Sequence, residues 1–82
     1  MEKKIGTISI LISEKEIVEH VNNLLSSFGE NILSRQGMPL RDEGLFIISL
    51  IVRSQADTIN ALTGKLGRLK GVKVRSVLIK IE

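Results

Sequence analysis

The sequence has no cysteine, tryptophan or tyrosine, and only one histidine, one proline and two phenylalanines in 82 residues. Without cysteine there is neither a disulfide nor a thiolate metal site, and a lone histidine leaves no transition-metal ligand cluster. Any nucleophilic serine would have only His20 as its histidine base, with no carboxylate identifiably placed to orient it, so the inventory argues against an enzyme. The scarcity of aromatics also speaks against an RNA-binding sheet, which stacks bases on aromatic side chains: Phe28 is expected on a helix and Phe46 lies in an apolar run. No two helices adjoin to make a helix-turn-helix. No stretch approaches the roughly 20 apolar residues of a membrane helix, and Lys3 and Lys4 precede only a short run broken by Gly6, Thr7 and Ser9, unlike a signal peptide. A cytoplasmic, soluble protein without a cofactor or metal is expected.

What the chain does have is the run Leu45-Phe46-Ile47-Ile48-Ser49-Leu50-Ile51-Val52. A strand buried on one face alternates apolar and polar residues, whereas a strand buried on both reads as nearly continuous branched hydrophobics. Phe46, Ile48, Leu50 and Val52 point one way; Leu45, Ile47 and Ile51 point the other. A chain this short makes one small domain, residues 1–82, whose core alone supplies only about 3–5 kcal/mol. If its helices cover one side of the sheet, the other side needs a cover, and a second copy of the chain is the expected one.

Isoleucines 8, 10 and 12 alternate as a first strand over Lys4–Ile12. Ser13 with Glu16 forms a capping-box signal for a helix carrying Ile17, Val18, Val21, Leu24, Leu25 and Phe28, which Gly29 would close in a left-handed cap. A second strand is expected from Asn31 to Gly37, and a turn-like connection from Pro39 to Gly44. The apolar strand then runs from Leu45 to about Arg53. Ser54 with Asp57 signals a second helix with Ile59, Leu62, Leu66 and Leu69 on its apolar stripe, closed at Lys70-Gly71. In the last strand, Val72–Ile81, Val72 and Val74 share one face and Val77, Ile79 and Ile81 the other, so either both faces are partly covered or a bulge near Arg75-Ser76 shifts the register. The order strand, helix, strand, strand, helix, strand predicts an α+β ferredoxin-like βαββαβ sandwich: a four-stranded antiparallel sheet with two helices on one face.

Several residues are candidate contacts. Thr63-Gly64-Lys65-Leu66-Gly67 places two glycines within a helix, each costing about 1 kcal/mol relative to alanine. Either small residues allow close packing there, or the backbone and Asn60, Thr63 and Lys65 approach a ligand. The segment is not a phosphate loop, because Ile59 stands where glycine is needed and Leu66 where a hydroxyl is needed. Arg35, Gly37 and Arg41, with Lys73 and Arg75, form either a basic rim suited to a carboxylate or phosphate, or ordinary exposed charges. Asn22 and Asn23 are weaker candidates of the same kind. The charge is asymmetric, −2 through Val52 and +5 from Arg53 onward. Such a gradient suits an anionic ligand, an acidic partner or nucleic acid, and equally a solvated face.

The segment Ile32-Leu33-Ser34-Arg35-Gln36-Gly37-Met38-Pro39, with Ile47–Val52, Asp57–Leu69 and Gly71-Val72, resembles the small regulators assigned to the iron-only hydrogenase system. That family is similar in fold to ACT regulatory domains and to the C-terminal domain of nickel-responsive repressors. The resemblance implies a ferredoxin-like subunit that forms a homodimer or dimer of dimers and binds a small anionic or amino-acid-like effector at a subunit interface. It also implies a role in transcription regulation through a separate DNA-binding partner. The nickel ligands do not carry over, since they include cysteine. Arg35, Gly37, Arg41, Asn60, Thr63, Gly64 and Lys65 are the expected effector contacts, and Leu45, Ile47, Ile51, Val77 and Ile79 the expected oligomer interface. The alternative is a structural oligomerisation or protein-interaction module with no small ligand.

Overall fold

The computed structural model describes residues 3–81. Strand β1 (Lys3–Ile12) leads into helix α1 (Val18–Ser27), then strands β2 (Ile32–Leu40) and β3 (Leu45–Gln55), helix α2 (Ala56–Gly67) and strand β4 (Val72–Lys80). The four strands form one sheet in the order β2-β3-β1-β4, with every adjacent pair antiparallel. This is the ferredoxin-like βαββαβ sandwich.

The period-two pattern of the strands sets the core. Ile8, Ile10 and Ile12 of β1 and Ile48, Leu50 and Val52 of β3 are all buried on the face that meets Val21 and Leu25 of α1 and Ile59, Leu62 and Leu66 of α2. Fully burying such a side chain contributes about 1.5–3 kcal/mol. In β4 the alternation is regular: Val72, Val74 and Leu78 turn towards the helices, and Val77 and Ile79 turn away. No bulge lies near Arg75-Ser76, because pairing with β1 runs unbroken from Lys4↔Lys80 to Ile12↔Val72. The phase change in the sequence therefore records apolar residues on both faces. The register shift falls instead in β2, between Ile32 and Ser34.

Local structure departs from expectation at five places. Ser13 and Glu16 form no capping box. The chain enters α1 through a 3-10 turn, Lys15–Ile17, with no side-chain cap. The Ser13 amide and hydroxyl both donate to the Gly71 carbonyl, at 2.9 and 3.2 Å, pinning the end of β1 to the turn before β4. Gly29 adopts no left-handed cap, because the chain passes directly into a second 3-10 turn, Gly29–Asn31. Strand β2 runs past Gly37 to Leu40; Pro39 is tolerated because β2 is an edge strand with only one ladder to serve. Ser54 lies within β3 and does not cap α2, whose N-cap position is Gln55; the Ser54 hydroxyl oxygen accepts a 3.2 Å bond from the Asn31 side-chain amide. Helix α2 ends at Gly67 with Arg68 in the right-handed conformation at its cap, so Lys70-Gly71 does not close it; Gly71 is left-handed (φ 78°) in the turn before β4, and Gly44 (φ 68°) is left-handed after the tight turn Arg41–Glu43.

Candidate functional site

The seven candidate contacts are distributed over different parts of the fold. The Arg35 guanidinium donates to the Asn22 side-chain oxygen, tying β2 to α1. Gly37 lies beneath the Phe46 ring, whose Cζ would be 3.1 Å from a β-carbon placed there. Asn60 and Gly64 are exposed on α2, and a β-carbon on Gly64 would meet nothing within 4 Å, so packing within the subunit does not explain that glycine. At Gly67 a β-carbon would make ordinary contact with Val74, at 3.5 Å. The Thr63 hydroxyl donates to the Ile59 carbonyl at 2.9 Å, an internal helical bond. The Lys65 ammonium lies 5.6 Å from the centroid of the Phe28 ring, within cation–π range. His20 is exposed on α1.

Arg41 alone of the seven borders a cleft of about 670 Å³ at the end of the sheet where β1 turns into α1. Its walls are Ile12, Val18, Pro39, Leu45 and Phe46, and its charged groups come from Glu14, Lys15 and Arg41. The Glu14 side chain lies across the bare Cα of Gly71, where a β-carbon would collide with it. An apolar floor with a few charges at the rim, in this size range, is the usual make-up of a small-molecule site. Residues 13–15 and Phe46 line one cleft although they come from segments about thirty residues apart, because the pairing of β1 with β3 brings them together. Among the described residues there is no group of three metal-ligating side chains, and no helix is long and apolar enough to cross a membrane.

The sheet face opposite the helices is the second feature. Leu45, Ile47, Ile51, Val77 and Ile79 all lie on it, and Met38 of β2 joins them. Val77 is 59% exposed, Ile79 53%, Met38 51% and Ile51 41%.

The model of the TM1266-like family, "Iron-only hydrogenase system regulator, putative", matches residues 4–76. The structure of TM1266 from Thermotoga maritima is 41% identical to the chain, with a TM-score of 0.92, covering 96% of this chain and 100% of that one. The ACT domain of a GTP pyrophosphokinase from Chlorobium tepidum is 21% identical over 94% of this chain and 89% of its own, with a TM-score of 0.75. A nitrogen regulatory PII-like protein from Thiomonas intermedia, bound to ADP, AMP and bicarbonate, shares the fold at 13% identity and a TM-score of 0.52, over 96% of this chain and 99% of its own. Among curated proteins none shows significant sequence similarity to the chain.

Proposed function

Because the chain belongs to the TM1266-like family, we propose that it is a non-enzymatic regulatory module of an iron-only hydrogenase system, one that self-associates and responds to a small effector. The observation that carries this reading is the uncovered apolar sheet face, with Val77, Ile79, Met38 and Ile51 between 41% and 59% exposed on one side of a small domain. Several large apolar side chains exposed together on one face mark an interaction site. A homodimer, or a dimer of dimers, buries it.

The effector site in this reading is the cleft between the β1–α1 turn and the β2–β3 hairpin, where Lys15 and Arg41 offer positive charge to a carboxylate or phosphate and Phe46 and Val18 hold an apolar body. Effector binding changes regulation by favouring one subunit arrangement over another, through its differential affinity for the two. A separate DNA-binding partner carries the output to transcription.

A specific observation supports a second reading, an interaction module with no small ligand. Arg35, Gly37, Thr63 and Lys65 each have an intramolecular role in the subunit.

Sedimentation at micromolar concentration, with a thermal-shift panel of amino acids, nucleotides and carboxylates, tests the proposal. An oligomer whose melting temperature rises with one member of the panel is expected. A folded monomer overturns the self-association, and an oligomer that no compound shifts selects the second reading.

A further inference from the structure

Charge is divided unevenly between the sheet and the rest of the fold. The four strands hold seven lysines and arginines and not one aspartate or glutamate. Every carboxylate among the described residues, from Glu14 to Asp57, stands outside the strands. Alternation along the strands sends Lys3, Arg53, Lys73 and Arg75 to the face away from the helices, where all four are exposed.

Lys73 and Arg75 form a defined group on that face. They follow one another on the outer side of β4, about 7 Å apart along the strand. Arg75 stands opposite Ser9 of β1, which stands opposite Ser49 of β3, and both serines are exposed. The Arg75 guanidinium gives one N–H to the adjacent Val74 carbonyl, at 2.8 Å, leaving the rest of its donor fork for other partners.

A second copy laid on this face brings the same cations and the same lack of strand carboxylates, whichever way it is turned. Like charges gathered in an interface without counter-charge oppose its formation. We infer that the junction takes up a multivalent oxyanion, held by Arg75 and Lys73 with the Ser9 and Ser49 hydroxyls, and that self-association is linked to this uptake. The inference rests on the self-association proposed above and adds to it a site apart from the cleft, whose walls include none of these four residues.

The donor set selects the ligand. A guanidinium meets a phosphate or carboxylate through two parallel N–H bonds, an ammonium adds a point charge, and hydroxyls donate to the remaining oxygens. Chloride offers no such geometry. In a lone subunit this group is open to water. Leu11 lies opposite Lys73 and Val77 follows Arg75 on the same face, so a covering copy dries the surroundings and strengthens every contact to the anion. An anion that binds the associated form more tightly than the separate subunits favours association by mass action.

Sedimentation of the metal-free chain at matched ionic strength tests this, with sodium chloride, pyrophosphate or citrate as the added salt. The dissociation constant should fall about tenfold or more from chloride to pyrophosphate or citrate, a coupling of ordinary size. A response to pyrophosphate alone makes the ligand a phosphate, and one to citrate alone a carboxylate. In the double variant Lys73→Gln, Arg75→Gln the difference should shrink to about twofold or less, the part left to general screening. Its association in chloride should be no weaker than the parent's, because uncompensated charge has been removed. A parent constant equal in all three salts means that carboxylates from the partner's own turns neutralise the face, and overturns the inference while leaving self-association in place. A double variant that keeps the full anion response overturns it too. Unmutated chain that stays monomeric in every salt removes the self-association on which the inference stands.

Discussion

A β-carbon on Gly37 would stand 3.1 Å from Cζ of Phe46, so the bare glycine of the edge strand is what allows the end of this ring to reach over β2. The glycine thereby shapes one wall of the cleft without lining it. In Gly37→Ala the half-buried ring must move by a few tenths of an ångström, and the open cleft beside it gives it room. The added crowding and the reduced freedom of the unfolded chain act in opposite directions, so stability should change by less than about 1 kcal/mol in urea unfolding. Any thermal shift produced by a cleft ligand should nevertheless shrink.

Gly6 has no such room. A β-carbon there would come within 3.0 Å of Leu78, 3.1 Å of Val52 and 3.5 Å of Ile59, all in or against the core. Gly6→Ala should destabilise the subunit by about 1–3 kcal/mol, as overpacking does. A urea midpoint equal to that of the unmutated chain would show that this corner of the core is slack.

Gly64 and Gly71 should respond in opposite directions. Gly64 is helical, exposed and free of neighbours within 4 Å, so alanine should stabilise the subunit by about 0.5–1 kcal/mol. Gly71 has φ 78° and is overlaid by Glu14; alanine there incurs about 1–2 kcal/mol from the left-handed backbone alone, with the collision added. Thermal unfolding of the two variants side by side checks the contrast.

Val77→Lys separates folding from association. Val77 is 59% exposed in the subunit, so replacing it should leave the fold of an isolated subunit within about 0.5 kcal/mol. In the oligomer it would bury an unpaired charge, and the dissociation constant should rise at least tenfold, about 1.4 kcal/mol. Sedimentation with circular dichroism at matched concentrations measures both, and an unchanged constant would move the interface off this face.

Arg41→Ala should abolish the thermal shift of an anionic ligand while leaving the unliganded melting temperature within about 2 °C, because Arg41 is an exposed residue of a turn. A ligand that shifts the variant as strongly as the parent does not use this arginine.

The sequence by itself determined the order and type of the elements and the inner face of the sheet. Ile8, Ile10, Ile12, Ile48, Leu50 and Val52 fall on one side whatever their neighbours do, because side chains alternate along any strand, and the spacing of Ile59, Leu62 and Leu66 is equally local information. The tertiary structure decided what depends on distant partners. Ser13 bonds to Gly71, fifty-eight residues away, instead of capping its helix; Ser54 serves Asn31; Arg35 turns to Asn22; and the cleft exists only where the β2–β3 hairpin passes the end of β1. Polar side chains and glycines can be satisfied in several ways locally, and only the assembled sheet brings one of those partners within bonding distance.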